Sequence, residues 1–200
     1  MAINLKEALR IAVGAIRPEI RRIAQWMVDR LPPALRQEWI GRIVGALAQI
    51  VERTEILGIQ ESISDAIEII SDEIGRQVRE RKVKKEEIDL MNELRKMLEN
   101  ARERLRQAEN VEEVRDRIIA ELQAYESILE IFKTIEERYA PKKEQRRIDW
   151  SKVGERIREI IRVINEQGIQ RAIEFIRREF PEVRRGFREG WQRGRRRGLI

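Results

Sequence analysis

Neither cysteine nor histidine occurs among the 200 residues of this chain. Without cysteine there is no disulfide framework and no thiolate metal site. Without histidine the commonest general base and the commonest zinc ligand are missing. Hydroxyl groups are scarce as well, with five serines and two threonines. Catalysis would have to rest on carboxylates, lysine or those few hydroxyls. No such set lies in an apolar, glycine-shaped surrounding that would perturb its pKa. A phosphate-cradling glycine loop and a dinucleotide fingerprint are also absent. The expectation is a protein that is not an enzyme and takes no metal or cofactor.

Long apolar runs are missing too. The longest uncharged one, Ile43 to Val51, has nine residues, against the ~20 needed to cross a bilayer. Lys6, Glu7 and Arg10 stand close to the start, and no small-residue cleavage site follows them, which argues against a secretory leader. No stretch alternates with period two for long enough to form a strand.

Isoleucine and charge fill the space. Thirty residues are Ile and only four are Phe. Charged residues reach 39%, against roughly 25% in ordinary globular proteins, with both signs interspersed. Regular apolar spacing within that charge is the pattern of ion-pair-laced helices rather than of a disordered polymer. Arginine outnumbers lysine more than threefold and Glu far exceeds Asp, a combination that suggests a hyperthermophilic source.

Periodicity of 3.6 residues along nearly the whole chain predicts an all-α fold of about seven or eight helices. Asn4 and Glu7 mark a first start, with Pro18 either kinking that helix or opening a second. Further helices are expected over Pro33 to Leu57, stopped at Gly58, and over Gln60 to Lys82. The latter carries a stripe of Ile63, Ile67, Ile70 and Ile74 in the most acidic part of the chain. Lys85 to Ala108 and a helix starting near Asn110 and running towards Tyr139 should form a long antiparallel hairpin. Trp150 to Gly168 and Ile169 to Phe180, before Pro181, complete the series. This divides the chain into a helical body, 1–140, and a basic C-terminal segment with an extended arm, 141–200.

Charge is unevenly placed. Residues 141–200 hold eighteen Lys or Arg against nine Asp or Glu, while the whole chain is only +6. Arg184, Arg185, Arg188, Arg193, Arg195, Arg196 and Arg197 cluster there around Trp191. Arginine binds phosphates sequence-independently, and an indole can stack on a base or fill a protein groove. At the other end Lys6, Arg10, Arg17 and Arg21 project within about 60° of one another. Leu9, Ile16, Ile20, Ile23 and Met27 form an apolar stripe beside them, and Arg22 stands apart from both. Such a helix can pack on protein and present guanidinium forks to phosphate. It can equally be a solvated face, or lie on a membrane surface. The acidic pairs Asp72–Glu73, Glu86–Glu87, Glu112–Glu113 and Glu136–Glu137 have cations within four positions and read as helix-surface ion pairs. Gly41 and Gly45 point weakly to close helix packing, within or between subunits.

The basic amphipathic Lys6–Arg22 start with its Pro18 break, the helical body and the Cys- and His-free, Ile/Arg/Glu-rich composition together resemble the α-helical major capsid proteins of filamentous and rod-shaped viruses of hyperthermophilic archaea. The resemblance covers general character over the whole length, without a diagnostic motif. It implies a virion subunit, often one of two related kinds, wrapped around double-stranded DNA in an A-like form through phosphate and shape contacts. The expected function is structural nucleic-acid packaging with self-assembly into a helical filament, the partners being nucleic acid and a like subunit. The alternative is a cytoplasmic, non-catalytic helical adaptor or small subunit of a ribonucleoprotein complex, with the Lys85–Tyr139 hairpin as its working part.

Overall fold

The computed structural model describes residues 5–30, 38–57, 59–80, 83–139 and 150–179. Among these residues the chain forms seven α-helices and no strand. They are α1 (Leu5–Arg30), α2 (Trp39–Leu57), α3 (Ile59–Glu80), α4 (Lys85–Glu109), α5 (Val114–Tyr139), α6 (Trp150–Gln167) and α7 (Ile169–Glu179). The expected all-α architecture is what the chain adopts.

Local chemistry explains where the helices end. Pro18 neither breaks nor restarts α1, which runs through it. The carbonyl that proline leaves unbonded, four residues back, belongs to Gly14. Pro18 is exposed and Gly14 half-buried, so that carbonyl lies on the wet side of the helix. Gly168 has φ 86°, a left-handed conformation that glycine adopts without Cβ strain. Its amide donates to Ile164 O at 3.0 Å, and its carbonyl accepts from the Ala172 amide at 3.1 Å. One residue thus closes α6 and opens α7.

Asn110 departs from expectation. It caps the C-terminus of α4 instead of starting α5, with its backbone in the right-handed region and its side-chain amide donating to Arg106 O at 3.4 Å. The connector is held by Arg117, which donates to Val111 O at 3.2 Å and to Glu109 O at 3.0 Å. Those carbonyls would otherwise lack partners. The positions expected as caps or starts at Asn4, Pro33 and Gly58 lie outside the described residues.

Helices α1 to α5 pack in chain order, and α5 returns to α1, so the five close a ring. Helix α6 lies on α5 and α1, and α7 on α6 and α1. Apolar width follows neighbour placement. On α4 the buried residues Leu90, Met91, Leu94, Leu98, Ala101, Leu105 and Ala108 fall within about 100° of arc. On α5, from Ile118 and Leu122 round to Ala120 and Ala124, the arc is about 200° wide, because α1, α4 and α6 all cover it. On α1, Ala8, Ile11, Ala12, Val13, Ala15, Ile16, Ile20, Ile23, Ala24 and Met27 are buried. That arc is about 220° wide, far broader than the expected stripe.

One continuous set of buried side chains draws on all seven helices, with Trp39, Tyr125 and Phe132 as its largest fully buried members. Isoleucine suits it, since a β-branched chain in a helix already keeps essentially one χ1 rotamer. At the ring's edge the Trp39 and Tyr139 rings meet edge to face at 5.9 Å. The Trp39 indole donates to Glu87 Oε1 at 3.4 Å, and Glu87 Oε2 accepts from the Lys84 amide at 3.3 Å. Burial, and then the Glu87 charge, push the Tyr139 hydroxyl up from its ordinary pKa.

Candidate functional site

A helix buried over so wide an arc has only a narrow strip left for solvent, and on α1 that strip is basic. Lys6, Arg10, Arg21 and Arg22 are exposed, and Arg17 is half-buried. Lys6, Arg21 and Arg22 make no ion pair or hydrogen bond among the described residues. Arg10 and Arg17 each engage another group of the chain, and the Nε of Arg17 is shut away from solvent. The structure therefore brings Lys6, Arg10, Arg17 and Arg21 to one side of α1, with Arg17 set deeper than the rest, while Arg22 projects about 100° away from Arg21.

Gly14 lies on the same side, about 80° round from Lys6, and nothing would touch a Cβ there within 4 Å. Further along, the Gln25 amide donates to Asp29 Oδ1 at 2.9 Å. On the opposite side of α1, among its buried positions, Glu19 binds Arg156 and so ties α6 to α1.

Little of the basic excess of residues 141–200 lies in α6 and α7. Those two helices carry seven Lys or Arg and five Asp or Glu, and most of the arginines are paired. Arg162 sits between Glu159 at 3.8 Å and Glu166 at 3.4 Å, Arg171 faces Glu174 at 3.7 Å, and Arg178 bonds Glu179 at 3.2 Å. Exposed pairs of this kind contribute little stability, roughly 0–1 kcal/mol each, but they neutralise the surface. The rest of the excess belongs to 141–149 and 180–200. Arg184, Arg185, Arg188, Arg193, Arg195, Arg196 and Arg197 thus lie outside the described residues.

The acidic residues divide into two kinds. Glu73 is buried and fully used: it accepts from Arg42 Nη2 at 2.6 Å and Nε at 3.1 Å, from Arg76 at 2.7 Å and from Gln77 at 2.8 Å. That network welds α2 to α3. By contrast Glu61, Asp65, Glu68 and Asp72 are exposed on α3 and make no ion pair among the described residues. Of the Asp72–Glu73 pair, Glu73 finds its cations but buried between two helices instead of on a helix surface, and Asp72 has no ion pair among the described residues.

Glu61 and Asp65 also line a cavity of about 640 Å³ with Gln60, Ser64, Glu109 and Glu121. Burial pushes the Glu121 carboxyl up to about 7. Sequence reading misses Glu121, although a signal is present: Tyr125, Ile128 and Phe132, at four, seven and eleven positions further on, are all core, so an acid occupies a core register. Among the described residues no group of three or more acidic side chains is arranged to hold a metal ion. The Gly41–Gly45 pair does not bring helices together within the chain at Gly45, where an added Cβ would meet nothing within 4 Å.

Among the described residues, no helix is long and apolar enough to cross a membrane. Comparison with protein-family models, curated proteins and solved structures gives no match to this chain.

Proposed function

We propose that this protein is a structural nucleic-acid-packaging subunit, which holds double-stranded DNA by its phosphates and assembles with copies of itself or a close relative. The observation that carries this reading is the solvent strip of α1. Lys6 and Arg21 of that strip, and Arg22 apart from it, are exposed without a carboxylate partner among the described residues, in a chain whose α6 and α7 arginines are mostly matched to acids. Cations without carboxylate partners on a helix surface are available to neutralise phosphates, and a polyanion that binds them releases its own counterions. Gly14 supports the same reading, because an open position on that face lets a phosphate backbone approach the helix closely. The arginines at 184–197 would extend the contact or serve assembly.

Such binding is indifferent to base sequence and steep in salt. Changing Lys6, Arg21 and Arg22 to Gln leaves the core untouched. It should lower the slope of log K against log salt by up to about 2.7, at about 0.9 for each phosphate no longer neutralised. Fluorescence anisotropy on two duplexes of unrelated sequence measures this. An unchanged slope removes α1 as the DNA-binding surface.

A further inference from the structure

The outer face of α3 concentrates features that the fold does not use. No Lys or Arg occurs between Arg53 and Arg76, in a chain that holds 42 of them. Within that gap Glu61, Asp65, Glu68 and Asp72 stand at intervals of four, three and four. They project within about 60° of one another along α3. Like charges so spaced destabilise a helix unless something cationic covers them. All four are exposed and unpaired among the described residues. Helix α3 packs chiefly on α2 and α4, which leaves this face outward.

Two further observations give the face a shape. Ile69, one of two large apolar side chains exposed among the described residues, borders the strip, whereas Val78 projects about 110° away from its centre. Ile69 sits four positions after Asp65 and three before Asp72, an apolar spot among carboxylates. At its N-terminal end the strip opens into the cavity shared by Glu61, Asp65, Glu109 and Glu121. Among the described residues nothing cationic lines that cavity. Burial raises the pKa of the Glu121 carboxyl there.

A fitting occupant must be cationic, carry an aromatic group and offer side chains long enough to enter the cavity. Residues 180–200 have that chemistry: seven arginines against two glutamates, with Phe187 and Trp191 among them. They follow α7, which packs on α6 and α1 and not chiefly on α3. A neighbouring molecule is therefore the natural recipient. We propose that the acidic face of α3, together with its cavity, docks the arginine- and tryptophan-bearing C-terminal segment of a second copy of this chain. This deepens the assembly half of the packaging reading and rests on it, but is independent of what α1 binds.

The test uses the full chain. One variant reverses the face (Asp65→Lys, Glu68→Lys, Asp72→Lys), and the other reverses the segment (Arg193→Glu, Arg195→Glu, Arg196→Glu, Arg197→Glu). Sedimentation velocity at about 50 mM salt, where screening is weak, should show wild-type chains associating with rising concentration. Each variant alone should associate at least tenfold more weakly. An equimolar mixture should recover, because reversed face meets reversed segment. Circular dichroism checks that both variants remain helical. A wild type that stays monomeric, as when the segment folds back on its own α3, overturns the proposal; so does undiminished association of either variant, or a mixture that fails to recover. The Lys6, Arg21 and Arg22 to Gln variant should keep its association while losing DNA, so failure of the DNA reading and failure of this one are separate results.

Discussion

Glu73 and Glu121 have the same carboxyl group and opposite fates. Glu73 is buried but accepts four charged or polar donors from Arg42, Arg76 and Gln77, which offsets its lost hydration. Glu121 is half-buried at the edge of its cavity, and burial raises its pKa from 4.5 to about 7. A folded-state pKa above the unfolded value means that the folded form holds the proton more tightly. The fold is then penalised progressively as pH climbs from 4.5 through 7, and the penalty is constant above that. Glu121→Gln, a neutral stand-in for the protonated acid, should be more stable than wild type at about pH 8, by at most about 3 kcal/mol. The difference should disappear below about pH 4.5, where the carboxyl is protonated in both states. Urea unfolding at both pH values measures it, and equal stabilities at pH 8 would mean that the carboxyl is hydrated after all.

At the scale of elements, the glycines separate into those the backbone requires and those it does not. Gly168 holds φ 86°, so Gly168→Ala forces an L side chain into the left-handed region and should cost roughly 1 kcal/mol. Gly14 and Gly75 sit inside helices with nothing within 4 Å of an added Cβ. Gly14→Ala and Gly75→Ala should therefore each stabilise by about 0.5–1 kcal/mol in thermal unfolding. If Gly14 serves close approach of DNA, Gly14→Ala gains stability and loses affinity together.

The element boundaries are readable because helices obey local rules: the Gly168 stop and the stripe of Ile63, Ile67 and Ile70 need no partner to be recognised. What stays hidden depends on neighbours. Nothing local to α1 shows that Ala8, Ala12 and Ala15 are core, because alanine is equally at home on a surface, and only four surrounding helices make the arc so wide. Nothing local says that Arg17 sits deeper than Arg21. Asn110 misleads because Asn suits a helix start and a helix end alike. The basic strip on α1 is legible from spacing alone. The unmatched acids of α3 are not, since Arg76 and Arg79 stand close enough in sequence to suggest pairs, yet Arg76 goes to Glu73.

For the whole molecule, closure of the ring matters more than any single contact. Helix α5 is covered by α1, α4 and α6, and α1 by α2, α5, α6 and α7, so the two form the axis on which both ends of the chain depend. Phe132 of α5 is fully buried. Phe132→Ala should cost about 3–5 kcal/mol through the forfeited transfer energy and the cavity left behind. Because buried residues of all seven helices form one continuous set, that cost should lower a single transition for the whole chain. Circular dichroism, dominated by every helix, and Trp fluorescence, with Trp39 packed between helix ends, should report the same midpoint in wild type and variant. Two midpoints, with α6 and α7 melting apart from the ring, would mean that Arg156–Glu19 and the α6–α5 packing do not bind the C-terminal helices into the core. A cooperative body also sharpens the assembly argument. If the acidic face of α3 docks the C-terminal segment of the next copy, the two surfaces in contact are unlike, so the contact repeats in one sense and does not close on itself unless its rotation happens to. That is the geometry of a filament rather than of a two-fold dimer.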